Sequence, residues 1–189
     1  FYSSYIQTYL DRDVSGVFGV EKIRDFHTIL ELLAARTAQV LNISMLSRDA
    51  GVSVNAVKGW LSILEASGMI FFLRPYFTNR TKRLVKAPKV YMTDTGLAAY
   101  LTKWQSAETL QKGAMAGALF ETAAVMEIVK SYEARGLTPP VYYYRDQQGR
   151  EVDVVLEQDG RIFPVEIKLG SQITETDVRH LRFFAKREE

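Results

Sequence analysis

Apolar positions recur at helical spacing through most of the first 135 residues and switch to alternation after residue 140. An amphipathic pattern already runs from Phe1 to Leu10. Over residues 21–40, Ile23, Phe26, Ile29 or Leu30, Leu33 and Ala34 predict one long amphipathic helix. Asn42 or Ser44 can cap a short helix through Met45, Leu46 and Ala50 that stops at Gly51. Ser53 then caps a second helix with Val54, Val57, Leu61 and Leu64 on one face, ending near Gly68. Short helix, tight turn, longer helix is the helix-turn-helix pattern. Strands over 69–73 and 90–92 follow, which makes the loop between them a wing. Asp94 starts a short capped helix, and 102–111 is a polar connector.

In the second half, residues 116–135 read as a helix with Ala118, Val125, Ile128 and Tyr132 on its apolar face, ended by Gly136. Glu121 falls in the middle of that face, whereas Glu127, Lys130 and Glu133 point away. A buried carboxylate needs a partner: a cation, Lys168 or a helix terminus. Residues 141–146 are β-rich and lead through Gln147-Gln148-Gly149 into a hairpin over 151–168 that turns at Asp159-Gly160, a strong two-residue turn signal. Thr174 to Asp177 resembles a capping box and starts a helix through Val178, Leu181 and Phe184 or Ala185. The fold class is α+β.

A two-residue turn pairs Gln158 with Arg161, and so places Asp153 opposite Glu166 and Glu151 opposite Lys168. Alternation puts Val152, Val154, Leu156, Phe163, Val165 and Ile167 on the core face. Two opposed carboxylates about 5 Å apart repel by roughly 3 kcal/mol at an effective dielectric near 20. A divalent cation bound to both, a raised pKa or Lys168 would relieve this; simple hydration on a wet face is the alternative.

Composition narrows the chemistry. None of the 189 residues is cysteine, which excludes disulfides, thiolate metal sites and cysteine nucleophiles and fits a reducing cytoplasm. His27 and His180 are the only imidazoles. No apolar run approaches the roughly 20 residues of a membrane span, and nothing resembles a signal peptide, so a soluble cytoplasmic protein is expected. There is no nucleotide-phosphate loop. The boundaries expected are 1–102 for the helical lead-in and winged helix-turn-helix domain, 103–112 for the connector and 113–189 for the second domain.

The net charge is only +2, so nucleic-acid binding would need local clustering. The expected wing supplies it, with Arg74, Arg80, Lys82, Arg83, Lys86 and Lys89 and no acid among them. The longer helix of the pair presents Asn55, Lys58, Ser62 and Glu65 outward, of which Asn55 and Lys58 can reach base edges. A packing or dimerisation module with a solvated basic loop remains the alternative.

A helix Glu, a strand Asp and a following Glu-x-Lys resemble the PD-(D/E)XK nuclease superfamily, carried here by Glu121, Asp153 and Glu166-Ile167-Lys168. Over nearly the whole chain, the runs from Tyr5 to Val14, Leu33 to Thr37, Lys82 to Lys86, Asp94 to Leu97, Phe120-Glu121, Tyr144 to Asp146 and Glu151 to Asp153 resemble the uncharacterised carboxy-terminal region that follows an AAA-type ATPase domain in many prokaryotic proteins. The resemblance implies a winged helix joined to a nuclease-like αβββα domain, with the ATPase and its ATP in a preceding domain in cis. The last strand of the nuclease core is not accounted for by this chain, and Val152 stands where the motif has Pro. It further implies Mg²⁺ or Mn²⁺ held by Glu121, Asp153 and Glu166, with Lys168 assisting phosphodiester hydrolysis in DNA and Arg145 clamping a phosphate. The alternative is a non-catalytic DNA- or protein-binding module coupled to the ATPase, with homo-oligomerisation as a further expectation.

Overall fold

The computed structural model describes residues 1–17, 20–79, 83–84, 86–170 and 172–188. Arg80 and Lys82 of the expected wing lie outside them. Helices α1 (Tyr2–Thr8) and α2 (Ile23–Ala35) flank a π-helical run, Tyr9–Val17. Asn42 accepts a hydrogen bond from Met45 N to start α3 (Ile43–Ala50), and Gly51 ends it with φ of 68°. Ser53 caps α4 (Val54–Ala66) through Ala56 N. The buried face of α4 is Val57, Trp60, Leu61 and Leu64; Val54, expected on it, is exposed.

Strands β2 (Ile70–Leu73) and β3 (Lys89–Met92) pair antiparallel as expected. The long second helix does not run through to Val40. It stops at Ala35, and the chain turns through Ala38 at φ of 65° into β1 (Gln39–Val40), which pairs with the other side of β3. Strand β3 is therefore the centre of its sheet. Its Val90 and Met92 join the core of α2 and α4, while Tyr91 joins a second core beyond the sheet.

Asp94 caps α5 (Thr95–Leu101), and Ser106 caps a short α6 (Ala107–Gln111) inside the expected connector. Helix α7 (Ala116–Glu133) buries Leu119, Thr122, Val125, Met126 and Val129. It lies between the two sheets: Val125, Met126 and Val129 pack with Leu73 and Tyr91 of the first and with Val141, Tyr143 and Val154 of the second.

The second sheet is β4 (Val141–Arg145), β5 (Glu151–Gln158) and β6 (Arg161–Val165), in that order and antiparallel. The chain leaving β2 runs parallel to the outer edge of β4: Tyr143 N donates to Arg74 O at 3.0 Å and Tyr76 N to Tyr143 O at 2.6 Å. The β5–β6 turn has positive φ at both Asp159 and Gly160, and Gln158 pairs with Arg161 as the sequence implies. The strict alternation expected on β5 fails at a bulge. Tyr142 pairs with Val155 but Tyr144 with Val152, so Asp153 and Val154 both stand opposite Tyr143. Val154 consequently faces the α7 core, whereas Val152 and Val155 face Phe184 of α8 (Glu175–Glu188). Phe163, also expected inward, is 46% exposed on the edge strand.

Phe184 is fully buried against Tyr76 and Tyr144 and anchors α8 to the sheet. Phe184→Ala is expected to cost about 3–5 kcal/mol in urea unfolding, and Phe163→Ala within about 0.5 kcal/mol. Equal costs would place the core on the wrong face of β6.

Candidate functional site

A lysine in a central strand is solvated or buried according to whether the sheet face it stands on is covered. Lys89, the first residue of β3, is 2% exposed and shares the parity of Tyr91, so it points toward α7 and β5. Its Nζ lies 2.9 Å from Glu121 Oε1, 2.5 Å from Glu151 Oε1 and 3.8 Å from Asp153 Oδ1. Tyr91 OH donates to the same Glu121 Oε1 at 2.7 Å. Arg145 reaches Glu151 from the outside, at 3.7 Å. The Tyr143 ring lies 5.8 Å from Nζ, and its hydroxyl donates to Ala87 O. One ammonium among three carboxylates leaves excess negative charge, which Arg145 only partly offsets.

A buried hydrogen-bond chain sets the distance between α7 and β3. Met92 N donates to Thr37 Oγ1 at 3.1 Å, Thr37 bonds Thr122 at 2.8 Å, and Thr122 donates to Ala118 O. Thr122 follows Glu121 directly, so this chain also fixes Glu121 against Lys89. Burial pushes the Glu121 carboxyl up from its ordinary range, against the opposing pull of Lys89 and the Tyr91 hydroxyl. Burial works against the Lys89 charge, but Glu121 and Glu151 outweigh it and hold its pKa above the ordinary lysine value. Desolvation, with Glu121 alongside, raises Tyr91 well above the usual phenol, so it stays a donor.

The partner of Glu121 is thus Lys89, not Lys168. Lys168 bonds Glu166 Oε1 at 2.7 Å, and Glu151, which could have paired with Lys168, pairs with Lys89 and Arg145. Strand β6 ends at Val165, one pair before Asp153 and Glu166 would face each other, because Asp153 Oδ2 takes the amide of Ile167 at 2.9 Å. Glu166 Oε2 is buried and has no hydrogen-bond partner among the described residues. Burial, opposed by Lys168 and reinforced by Asp153, pushes the Glu166 carboxyl up.

Glu121, Asp153 and Glu166 do not fit a divalent cation as they stand. Among the described residues no three His, Asp or Glu side chains converge as metal ligands must. Glu121 Oε1 is occupied by an ammonium and a phenol, and Glu166 Oε1 by a second ammonium. The sequence reading missed Lys89 because it assigned this lysine to the basic wing. The signal lay in its neighbours: alternation in Lys89-Val90-Tyr91-Met92 puts Lys89 on the same face as Tyr91, so it is buried wherever that face is covered.

The nucleic-acid candidates divide. Asn55, Lys58, Lys86 and Arg145 are exposed. Arg83 is not: it is buried, bonds Glu157 at 2.6 Å and Phe77 O, and sits between the rings of Tyr76 and Tyr142. That position holds the loop to the second sheet and leaves Arg83 unable to meet a phosphate.

Residues 1–108, more than half of the chain, match a domain of unknown function, DUF8612. The chain belongs to the DUF8612 family. Residues 116–189 match a second domain of unknown function, DUF4143. Lys89 and Tyr91 therefore lie in the DUF8612 part and Glu121, Glu151 and Asp153 in the DUF4143 part, so the ionic cluster joins the two. Two uncharacterized proteins, Rv2008c of Mycobacterium tuberculosis and Mb2031c of Mycobacterium bovis, are each 30% identical over 168 residues, or 88% of this chain and 37% of theirs. The chain thus spans little more than a third of the length of these relatives. No solved structure matches it. No helix among the described residues is long and apolar enough to cross a membrane.

The raised Glu166 carboxyl gives a pH test. A carboxyl whose native pKa lies above its unfolded one contributes stability in acid and loses it as pH rises through the native value. Glu166→Gln should therefore raise the urea midpoint near pH 7 and have little effect near pH 4, below the unfolded carboxylate pKa. A loss of stability near pH 7 would show that the Lys168 pair outweighs the burial of Glu166.

Proposed function

We propose that this chain is a nucleic-acid-contacting, non-catalytic module of a longer ATPase-type protein. In this reading α3, α4, β2 and β3 form a winged helix-turn-helix, and α7, β4–β6 and α8 form a nuclease-like αβββα scaffold. The observation that carries the reading is the Lys89 ammonium among Glu121, Glu151 and Asp153. Two of those carboxylates, Glu121 and Asp153, are ones a nuclease of this kind would give to Mg²⁺ or Mn²⁺. The DUF4143 match and the greater length of the mycobacterial relatives support placement beside further domains, with the ATPase expected among them. Contact with DNA rests on Asn55 and Lys58 of α4 and on the exposed cations Lys86 and Arg145.

One observation favours the second reading, a metal-dependent endonuclease. Among the described residues Glu166 Oε2 is a buried acceptor with no partner, and the field of Asp153 acts on its carboxyl. A divalent cation would supply the missing positive charge there.

The two readings separate in one experiment. The full-length protein is incubated with plasmid and single-stranded DNA, with ATP and Mn²⁺, beside Asp153→Asn. The non-catalytic reading expects salt-dependent binding with no cleavage above the variant. Lys58→Glu and Lys86→Glu should each weaken binding and, where a phosphate contact is lost, reduce the salt slope by about 0.9 on duplex DNA. Cleavage by the wild type that disappears in Asp153→Asn would overturn it in favour of the nuclease.

A further inference from the structure

A cleft of about 780 Å³ lies where the connection between β2 and β3 faces the end of β4. One wall belongs to the part matched by DUF8612 and carries Tyr76, Phe77 and Lys86; the other belongs to the part matched by DUF4143 and carries Tyr144, Arg145 and Gln147. Main-chain bonds hold the walls together. Tyr143 N donates to Arg74 O and Tyr76 N to Tyr143 O, and the Arg83 guanidinium, itself bonded to Glu157, donates to Phe77 O. The cleft is thus formed in the free protein, which lowers the cost of ordering it on binding. Tyr76 and Tyr144, packed against Phe184, line it from the buried side. Phe77 is partly buried and stacks on no ring among the described residues. Lys86, Arg145 and Gln147 are exposed. The acid beside them, Asp146, is matched by Arg150 at 2.6 Å and by the main-chain amides of Gln148 and Arg150, so the two cations set the charge of the opening.

An aromatic ring, a side-chain amide and cations in one concavity answer the three parts of a nucleotide: base face, base edge and phosphate. The volume falls within the range of about 300–1,000 Å³ typical of sites that enclose a small molecule. A duplex makes poor use of such a site. Its bases are stacked on one another and paired, and its backbone meets a protein through phosphates, so it reaches only the exposed cations. An unpaired base can enter. We propose that this cleft takes one unpaired nucleotide of single-stranded DNA, with its base against Phe77, the Gln147 amide at the base edge and the neighbouring phosphates on Lys86 and Arg145. Cations on both walls suit the two phosphates that flank a nucleotide within a strand. This inference rests on the nucleic-acid-contacting reading and narrows it. Asn55 and Lys58 of α4 remain the contacts to duplex, while the cleft recognises strand that is not paired.

The test is fluorescence anisotropy of the full-length protein with three probes of equal length: an oligothymidylate, a blunt duplex and a strand of abasic sugar-phosphates. The wild type should bind oligothymidylate at least about fivefold more tightly than the abasic strand, which keeps the phosphates and lacks the bases. Phe77→Ala should weaken oligothymidylate binding by at least about fivefold and leave duplex binding within about twofold, and Phe77→Tyr should retain the wild-type affinity for both. Equal affinity for the abasic strand and oligothymidylate overturns the inference, as does a Phe77→Ala that changes neither probe or weakens both alike. Displacement of oligothymidylate by thymidine monophosphate at equal concentration also overturns it, in favour of a free nucleotide. In each of these cases salt-dependent binding of duplex that Lys58→Glu weakens leaves the nucleic-acid-contacting reading standing; absence of binding to every probe refutes both.

Discussion

A single buried ammonium governs how the two sheets of this protein meet. Moving a lone charge of that kind out of water costs several kcal/mol even after the protein relaxes, so Lys89 at 2% exposure requires carboxylates at close range. Those it finds come from α7 and β5, elements that follow it in the chain by 32 to 64 residues. The same need acts in reverse. Glu121 and Asp153 lie near enough to raise each other's cost, and without the ammonium between them their repulsion would fall on the second sheet alone.

Packing around the ions makes that arrangement rigid. Helix α7 shares one core with Leu73 and Tyr91 on one side and Tyr143 and Val154 on the other, so the sheets are held through a common layer of side chains. The strand-like contact of Arg74 and Tyr76 with β4 extends the joint at backbone level, and Arg83 pins the following loop through Glu157 and two tyrosine rings. The α7 core, the Arg74–Tyr76 contact, the Arg83 anchor and the ionic cluster thus all cross between the parts matched by DUF8612 and DUF4143.

Local signals were legible in the sequence wherever a single residue sets the backbone. Asn42, Ser53 and Asp94 cap the helices expected of them, and Asp159-Gly160 fixes the β5–β6 register. Glu121 was read as inward from helical phase alone, and it is. What escaped depends on partners distant in sequence. The bulge at Asp153 and Val154 leaves no mark in the alternation of Val152, Val154 and Leu156, because valine suits either face. Strand β1 is two residues long and was absorbed into the helix before it, and Lys89 was counted with the basic wing rather than with the strand it opens. Arg83 was misplaced for the same reason, since its acceptor Glu157 lies 74 residues away.

The central claim is that Lys89, and not a metal ion, neutralises Glu121, Glu151 and Asp153 in the resting protein. Anomalous diffraction at the manganese edge from wild-type crystals soaked in Mn²⁺ tests it directly. The account predicts no manganese peak at these carboxylates, with Lys89 Nζ still within hydrogen-bond range of Glu121 and Glu151. A peak coordinated by Glu121, Asp153 or Glu166, with the parts still in contact and Lys89 in place or merely turned aside, would contradict it.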